Sequence, residues 1–249
     1  VLLGTLLATV LYFLGGEGGE GLFVVAVAVV AALPLTVAAA VALAGEAPRL
    51  REVHLSVSEG WRAMRANAPL RRLILAWFVN GAANGLPVTL FLFFVSHRLA
   101  APEQAGPLLL IYFVAAIAGV PFWSWAARRL SKHRVWAWAM LYACVVFAFA
   151  LLLGEGDVLA FGAICVLTGL ALGADLSLPP SIQADVVETD TLRTGAARAG
   201  LFFAIWQVAT KAALALSSGL ALIALDGAGF SAEGGNDAGA PWSLALLYA

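Results

Sequence analysis

Long apolar runs constrain this chain more than any other feature of its sequence. Six of them reach the length of about 20 residues that a helix needs to cross a hydrocarbon core about 30 Å thick. These six runs occupy residues 22–44, 73–95, 106–127, 135–153, 158–182 and 200–225. Shorter apolar stretches lie at the two ends, at residues 1–14 and from Pro241 onward. The pattern predicts an all-α polytopic membrane protein with six complete transmembrane helices and two partial ones.

The composition excludes several other classes of protein. Only 12% of the residues are charged and 62% are hydrophobic, whereas soluble domains are about a quarter charged. The net charge of −1 by itself says nothing about nucleic acid, but the sequence has no basic-aromatic pattern of the kind that binds it, so we expect no nucleic-acid partner. The three histidines lie in loops without a partnered nucleophile or metal set, so we expect neither an enzyme nor a metal site.

The distribution of Lys and Arg predicts how the chain crosses the membrane. If the loop 45–72 is cytoplasmic, the alternation of spans places twelve of the fourteen basic residues on that side and Arg98 alone on the other. The twelve are Arg49, Arg51, Arg62, Arg65, Arg71, Arg72, Arg128, Arg129, Lys132, Arg134, Arg193 and Arg198. We therefore expect a multi-pass protein of a bacterial-type inner (plasma) membrane.

Lys211 is the sharpest candidate for a functional residue. It lies about twelve residues from the cytoplasmic end of its span, or ~18 Å of helix, which is too deep for its ammonium group to reach the interface easily. A lysine near the bilayer centre costs about 2.5–3.5 kcal/mol and normally faces a partner or a wet cavity. One face of this helix is polar and small, which suits a lumen, although a structural charge pair between helices is the alternative. The residues of that face are Gly200, Phe203, Ala204, Gln207, Lys211, Ala215 and Ser218.

Asp175 is a second charged residue within an apolar span. A carboxylate at that depth needs a partner, and Lys211 is one candidate if the two helices are adjacent. Pro179 and Pro180 remove two helical hydrogen bonds just after it and leave carbonyl groups for polar contacts. The alternative is a structural ion pair or hydrogen bond to a neighbouring helix.

Asn80 and Asn84 lie one helical turn apart on the span that follows the central loop. Their amides suit either the hydroxyl groups of a sugar or hydrogen bonds between helices. Gly81 and Gly85 form a small-xxx-small pair beside them, which favours close helix packing. Trp206 is a candidate aromatic for stacking on a sugar, with packing or lipid contact as the alternative.

Residues 184–216 carry a family resemblance. The run ADVVETDTLRTGAARAGLFFAIWQVATKAALAL is similar to the helix 10–loop–helix 11 signature of the glycoside–pentoside–hexuronide:cation symporters, the melibiose-permease-like branch of the major facilitator superfamily. The matching positions are Ala184, Asp185, Val186, Val187, Asp190, Arg193, Thr194, Gly195, Arg198, Gly200, Leu201, Phe202, Phe203 and Lys211. The run PFWSWAARRLSKHRVW also resembles that branch's basic turn between helices 8 and 9. It departs from the turn of the superfamily, since Ser131 stands where glycine is usual and no acidic residue is present.

This resemblance implies a C-terminal portion of a twelve-helix transporter. Residues 1–44 would hold a partial fifth helix and the sixth helix, at the end of the N-terminal bundle. Residues 45–72 would form the cytoplasmic central loop with a short amphipathic helix. Residues 73–249 would form the C-terminal bundle, from the seventh helix to the start of the twelfth.

The implied activity is cation-coupled symport of a sugar or glycoside by alternating access. We expect a monomer in the lipid bilayer that binds a small-molecule solute and uses no cofactor beyond a coupling Na⁺ or H⁺. In the family that the chain resembles, most of the acidic residues that bind the coupling cation lie in the N-terminal half. The expected solute and cation site contains Lys211, Gln207, Asn80, Asn84 and Asp175. The alternatives are a lipid-like solute, since the branch includes relatives that move lipids, or a non-transporting sensor or scaffold.

A charged cluster at the cytoplasmic side is the predicted gate. Its residues, placed by the sequence in the turn between two spans, are Asp185, Asp190, Arg193 and Arg198. In a rocking transporter, such charge pairs hold the inner side closed. The alternative is a solvated surface at the helix ends.

Overall fold

The computed structural model describes residues 19–43, 57–196, 198–230 and 240–248. The chain divides into two compact units, Val1–Leu50 and Arg51–Ala249. The described part of the first unit is one helix, α1 (Gly19–Leu43), which corresponds to the predicted span 22–44. The predicted partial span 1–14 lies outside the described residues, as do Arg49 and Arg51.

The described part of the second unit consists of helices and short connections. Its α-helices are α2 (Val57–Ala66), α3 (Ala68–Phe93), α4 (Ala105–Arg129), α5 (Lys132–Ala148), α6 (Val158–Thr194), α7 (Ala199–Gly227) and α8 (Ala240–Tyr248). A π-helical turn, Phe94–Arg98, extends α3, and short 3₁₀ segments are found at Pro102–Gln104 and Phe149–Leu152. Across the described ranges, six helical stretches are long and apolar enough to cross a membrane. The predicted all-α fold with six spans is thereby confirmed.

The α3 helix begins earlier than the apolar pattern predicts. Its first residue is Ala68, and the side chain of Asn67 accepts a hydrogen bond from the backbone N–H of Leu70 at 3.0 Å. Asparagine is a favourable N-cap, because its side-chain oxygen satisfies one of the free N–H groups of the first turn. Arg71 and Arg72 therefore lie on the helix that carries Asn80 and Asn84.

The α6 helix runs for 37 residues and passes through both Pro179 and Pro180. It ends at Thr194, and the next residue, Gly195, has a positive φ of 67°, which suits glycine at a helix C-terminus. The prediction that Asp185, Asp190 and Arg193 lie in a turn was wrong, because the helix continues to Thr194. Packing against neighbouring helices sustains a helix whose prolines remove two of its own hydrogen bonds.

Helix packing divides this unit into two groups. The α6 helix packs against α4 and α5, while α3 packs mainly against α7. At the α4–α6 contact, a Cβ added to Gly173 would lie 2.6 Å from the carbonyl oxygen of Ala116, so only glycine fits there. On the α3–α7 contact, a Cβ at Gly85 would overlap the hydroxyl group of Ser217. Gly85 thus lets α3 and α7 approach closely, as small residues do at contacts between membrane helices.

Two apolar clusters fill the core of the second unit. The cluster at the predicted outer ends of the helices includes Leu90, Phe94, Leu108, Phe161, Ala221 and Tyr248. The cluster at the predicted cytoplasmic ends includes Leu70, Leu73, Trp136, Leu178, Phe202 and Trp206. On α3 the two clusters are separated by Asn80 and Asn84, and this interval holds the polar contacts described next.

Candidate functional site

Asp175 is buried on α6, with 7% of its surface exposed. Its Oδ1 accepts hydrogen bonds from Asn80 Nδ2 at 2.8 Å and from the indole N–H of Trp136 at 2.9 Å. Its Oδ2 accepts a longer hydrogen bond, 3.4 Å, from Asn84 Nδ2. We name these four residues, Asp175, Asn80, Asn84 and Trp136, the Asp175 cluster. It joins α3, α5 and α6 through a single carboxylate.

The donors around Asp175 are all neutral N–H groups. Each of these hydrogen bonds gives a buried carboxylate oxygen a partner, and in a low-dielectric interior they polarise one another. Pro179 and Pro180 have no backbone N–H, so the backbone carbonyl groups of Asp175 and Leu176 lack their usual helical donors and add to the polarity of this level. Both carboxylate oxygens of Asp175 therefore have hydrogen-bond donors, and the Asp175 cluster acts as a polar joint between helices of an apolar bundle.

Three tryptophans extend this joint to α7. The rings of Trp77 and Trp206 are stacked with their centroids 4.4 Å apart, and Trp77 lies 6.5 Å from Trp136. The indole N–H of Trp77 donates to Thr210 Oγ1 at 2.7 Å. Trp206 is buried, with 6% of its surface exposed, so of its two predicted roles the structure shows packing.

Lys211 follows Thr210 on α7 but points away from the joint. It is exposed, as are Gln207, Phe203 and Ala204. We name the predicted polar face of this helix the Lys211 strip; its residues are Gly200, Phe203, Ala204, Gln207, Lys211, Ala215 and Ser218. Six of the seven are exposed and Ser218 is partly buried, so the strip is a face that the described bundle leaves uncovered.

The structure does not pair Lys211 with Asp175. Within the described ranges, the ion pairs of the chain are Lys132–Asp185 and Arg198–Asp190, and Lys211 belongs to neither. The oxygens of Asp175 are taken by the amides and the indole of its own cluster. The predicted site thus divides into two parts: Asn80, Asn84 and Asp175 lie together, while Lys211 and Gln207 lie on the open strip.

Charged residues meet at the predicted cytoplasmic ends of the helices. Lys132 Nζ lies 2.6 Å from Asp185 Oδ2, which connects the start of α5 to α6. Asp190 is buried; it accepts a hydrogen bond from Asn67 Nδ2 at 3.2 Å and lies 3.9 Å from Arg198 Nη1. A cavity of about 140 Å³ opens beside them. Arg193, exposed on α6, lines this cavity together with Asp185 and Asp190.

Sequence reasoning missed four partners of these residues. Trp136 and Thr210 were not singled out, although an indole N–H buried in an apolar span must find an acceptor. The sequence pattern assigns no partner to Asn67, in the predicted amphipathic helix, or to Lys132, in a predicted loop, although Asp190 and Asp185 complement them in hydrogen bonding and charge. All four contacts join residues far apart in sequence, so a helical pattern alone does not reveal them.

The family described as MFS/sugar transport protein matches residues 1–249. This chain belongs to that family. It is thus a multi-pass membrane protein of the major facilitator superfamily, a superfamily of transporters. The finer assignment to the melibiose-permease-like branch stays a prediction.

Several curated relatives resemble the chain at lower identity. It is 26% identical over 178 residues to the sodium-dependent lysophosphatidylcholine symporter 1-A of Danio rerio, a match that covers 71% of this chain and 33% of that protein. It is 25% identical over 177 residues to the human sodium-dependent lysophosphatidylcholine symporter 1, covering 70% and 32%. It is 25% identical over 175 residues to a sphingosine-1-phosphate transporter of Xenopus tropicalis, covering 70% and 34%. The chain spans about a third of the length of these relatives.

Proposed function

We propose that this chain is part of a sodium-coupled transporter that moves a phosphate-bearing lipid with a single long apolar chain. The names of the relatives support this choice of solute over a sugar, since lysophosphatidylcholine and sphingosine-1-phosphate share a phosphate group and one such chain. The same names support Na⁺ over H⁺ as the coupling cation. The lipid-like solute is thus preferred to the sugar that the motif resemblance implied.

The observation that carries this proposal is the uncovered Lys211 strip. Lys211 lies 12 residues after Ala199, the first residue of α7, or about 18 Å along the helix axis. A lysine at such depth needs a partner or water, and the described bundle offers it no ion pair. A solute phosphate would supply the missing anion, with Gln207 one turn away as a neutral donor. Phe203, exposed on the same strip, suits the apolar chain of the solute.

The Asp175 cluster has a supporting role in this proposal. Its hydrogen bonds position α3 and α6, and Trp77 holds α7 at Thr210, the residue beside Lys211. Asn84 is exposed, so it is the member of the cluster that can also face a solute. The proposed site therefore remains Lys211, Gln207, Asn80, Asn84 and Asp175. Of these residues, Lys211 and Gln207 would contact the solute directly.

Alternating access completes the proposed mechanism. Residues 73–249 would form one bundle, residues 1–44 would belong to the other, and the loop 45–72 would link them. The charged cluster of Asp185, Asp190, Arg193 and Arg198 would act as the cytoplasmic gate. The pairs Lys132–Asp185 and Arg198–Asp190 support this role, since charged side chains near the predicted cytoplasmic ends of α5, α6 and α7 form ion pairs with one another.

Uptake by the full-length parent protein in proteoliposomes tests the proposed solute. We expect flux of lysophosphatidylcholine that depends on an inward Na⁺ gradient, and little flux of a disaccharide. Lys211→Gln should lower the initial rate about tenfold or more, because a hydrogen bond to a charged group contributes about 1.5–3 kcal/mol.

Arg134→Gln is the matched control, since Arg134 is an exposed cation on α5 that takes part in neither ion pair of the described ranges. It should change the rate by less than about threefold, because surface substitutions that break no contact usually change free energies by less than about 0.5 kcal/mol. Sodium-driven sugar flux without lipid flux would overturn the proposed solute. Equal rates for Lys211→Gln and the unaltered protein would remove Lys211 from the site.

A further inference from the structure

The short helix α2 has one face that packs against the bundle. Gly60 is buried, and a Cβ at that position would lie 3.0 Å from Leu201 Cδ1, so glycine allows α2 to approach the start of α7. Met64 packs against the apolar cluster at the predicted cytoplasmic ends. These contacts hold α2 directly before α3, the first span of the second unit.

The opposite face of α2 is aromatic and basic. Trp61 is 54% exposed, and the guanidinium carbon of Arg65 lies 5.2 Å from the centre of its ring. Arg62 is exposed beside them, and the exposed Arg71 and Arg72 follow on the first turn of α3. The guanidinium of Arg71 also donates to the backbone carbonyl of Arg65, which ties the two helices together. We name Trp61, Arg62, Arg65, Arg71 and Arg72 the α2 patch.

We propose that the α2 patch binds the anionic headgroups of phospholipids in the leaflet from which α3 enters the membrane. Residues 57–72 hold four arginines against one glutamate, so the segment is cationic. Each Lys or Arg near an anionic leaflet adds to the attraction between the segment and that leaflet. Tryptophan prefers the headgroup level, where its ring is in apolar surroundings and its N–H is hydrated.

Because α2 packs against the bundle, the α2 patch is a defined surface and not only an excess of positive charge on one side of the membrane. A loop of arginines would orient the chain without a defined surface, whereas Gly60 fixes which side of α2 faces outward. The cation–π contact between Arg65 and Trp61 keeps a charged group and an interfacial ring together. The inference does not depend on the transported solute, and it holds for either direction of transport.

Lipid-dependent thermal stability of the full-length parent in neutral detergent tests this inference. Added phosphatidylserine should raise the melting temperature more than the same amount of phosphatidylcholine, because a ligand that binds the folded state stabilises it. The double variant Arg62→Gln/Arg65→Gln should lose at least about half of that difference. Arg62→Lys/Arg65→Lys should keep most of it, which separates the loss of charge from damage to the fold.

Arg98→Gln is a control at the opposite end of α3, where Arg98 lies 5.2 Å from the ring of Trp242 in a similar contact. It should keep the full response to phosphatidylserine. Inorganic phosphate in place of lipid should give no stabilisation, because the patch would lack the apolar anchoring of a membrane lipid. An equal response in the unaltered protein and in Arg62→Gln/Arg65→Gln would overturn the inference, as would an equal loss in Arg98→Gln.

Discussion

The Asp175 cluster and the Lys211 strip show two ways of accommodating a charged side chain in an apolar helix. Asp175 is 7% exposed and receives hydrogen bonds from three side chains of two other helices. Lys211 is exposed and takes part in neither ion pair of the described ranges. A satisfied buried charge holds helices together, whereas an unsatisfied one at an open face is available to a ligand. Asp175 and Lys211 therefore have different roles, although the sequence pattern marks both as ionisable residues within apolar spans.

The two regions meet at Thr210. Trp77 donates a hydrogen bond to Thr210 and stacks on Trp206, while Lys211 is the next residue along α7. A change in the Asp175 cluster is therefore expected to alter the position of the Lys211 strip as well. Substitutions at the exposed positions of the strip are expected to disturb the cluster less, since those side chains face away from it.

Asp175→Ala should have the largest effect on stability. It leaves the indole N–H of Trp136 and the amide of Asn80 without their acceptor, so we expect the free energy of unfolding in detergent to fall by about 2 kcal/mol. Ser177→Ala is the control on the same helix, because its hydroxyl group bonds to the backbone of α6 itself. A loss no greater than that of Ser177→Ala would contradict the role of the Asp175 cluster as a joint.

Trp77→Phe should have an intermediate effect, since it removes one hydrogen bond and keeps an aromatic ring for stacking. The expected loss in the free energy of unfolding is about 1 kcal/mol, the usual contribution of a neutral hydrogen bond. Trp138→Phe provides the matched control, because Trp138 is 65% exposed on α5. Equal losses in the two variants, measured by the same unfolding titration, would show that the Trp77–Thr210 bond does not hold α7.

Lys211→Ala should have the smallest effect on stability, in contrast to its large expected effect on transport. Surface substitutions that break no contact usually change the free energy of unfolding by less than about 0.5 kcal/mol. Val208→Ala, at another exposed position of α7, serves as the reference. Destabilisation by more than 1 kcal/mol relative to Val208→Ala would indicate that Lys211 has a structural partner, and the distinction between the two regions would fail.

Much of the fold was predictable, because membrane spans depend on the local chemistry of about 20 consecutive residues. The six apolar runs correspond to the six helical stretches that satisfy the length and composition of a span. The open polar face of α7 was predictable for the same reason, since residues that recur at helical spacing share a face whatever surrounds them. Gly85 likewise marked a close helix contact through its spacing from Gly81.

The amino-acid sequence by itself determined the number of spans, the polar strip and the presence of two ionisable residues deep within spans. Only the tertiary structure decided which charge is satisfied. Asn80 and Asp175 are 95 residues apart and Trp136 and Asp175 are 39 apart, so no local pattern relates them. The continuation of α6 through Pro179 and Pro180 was also a tertiary outcome, because contacts with α4 and α5 outweigh the two missing hydrogen bonds.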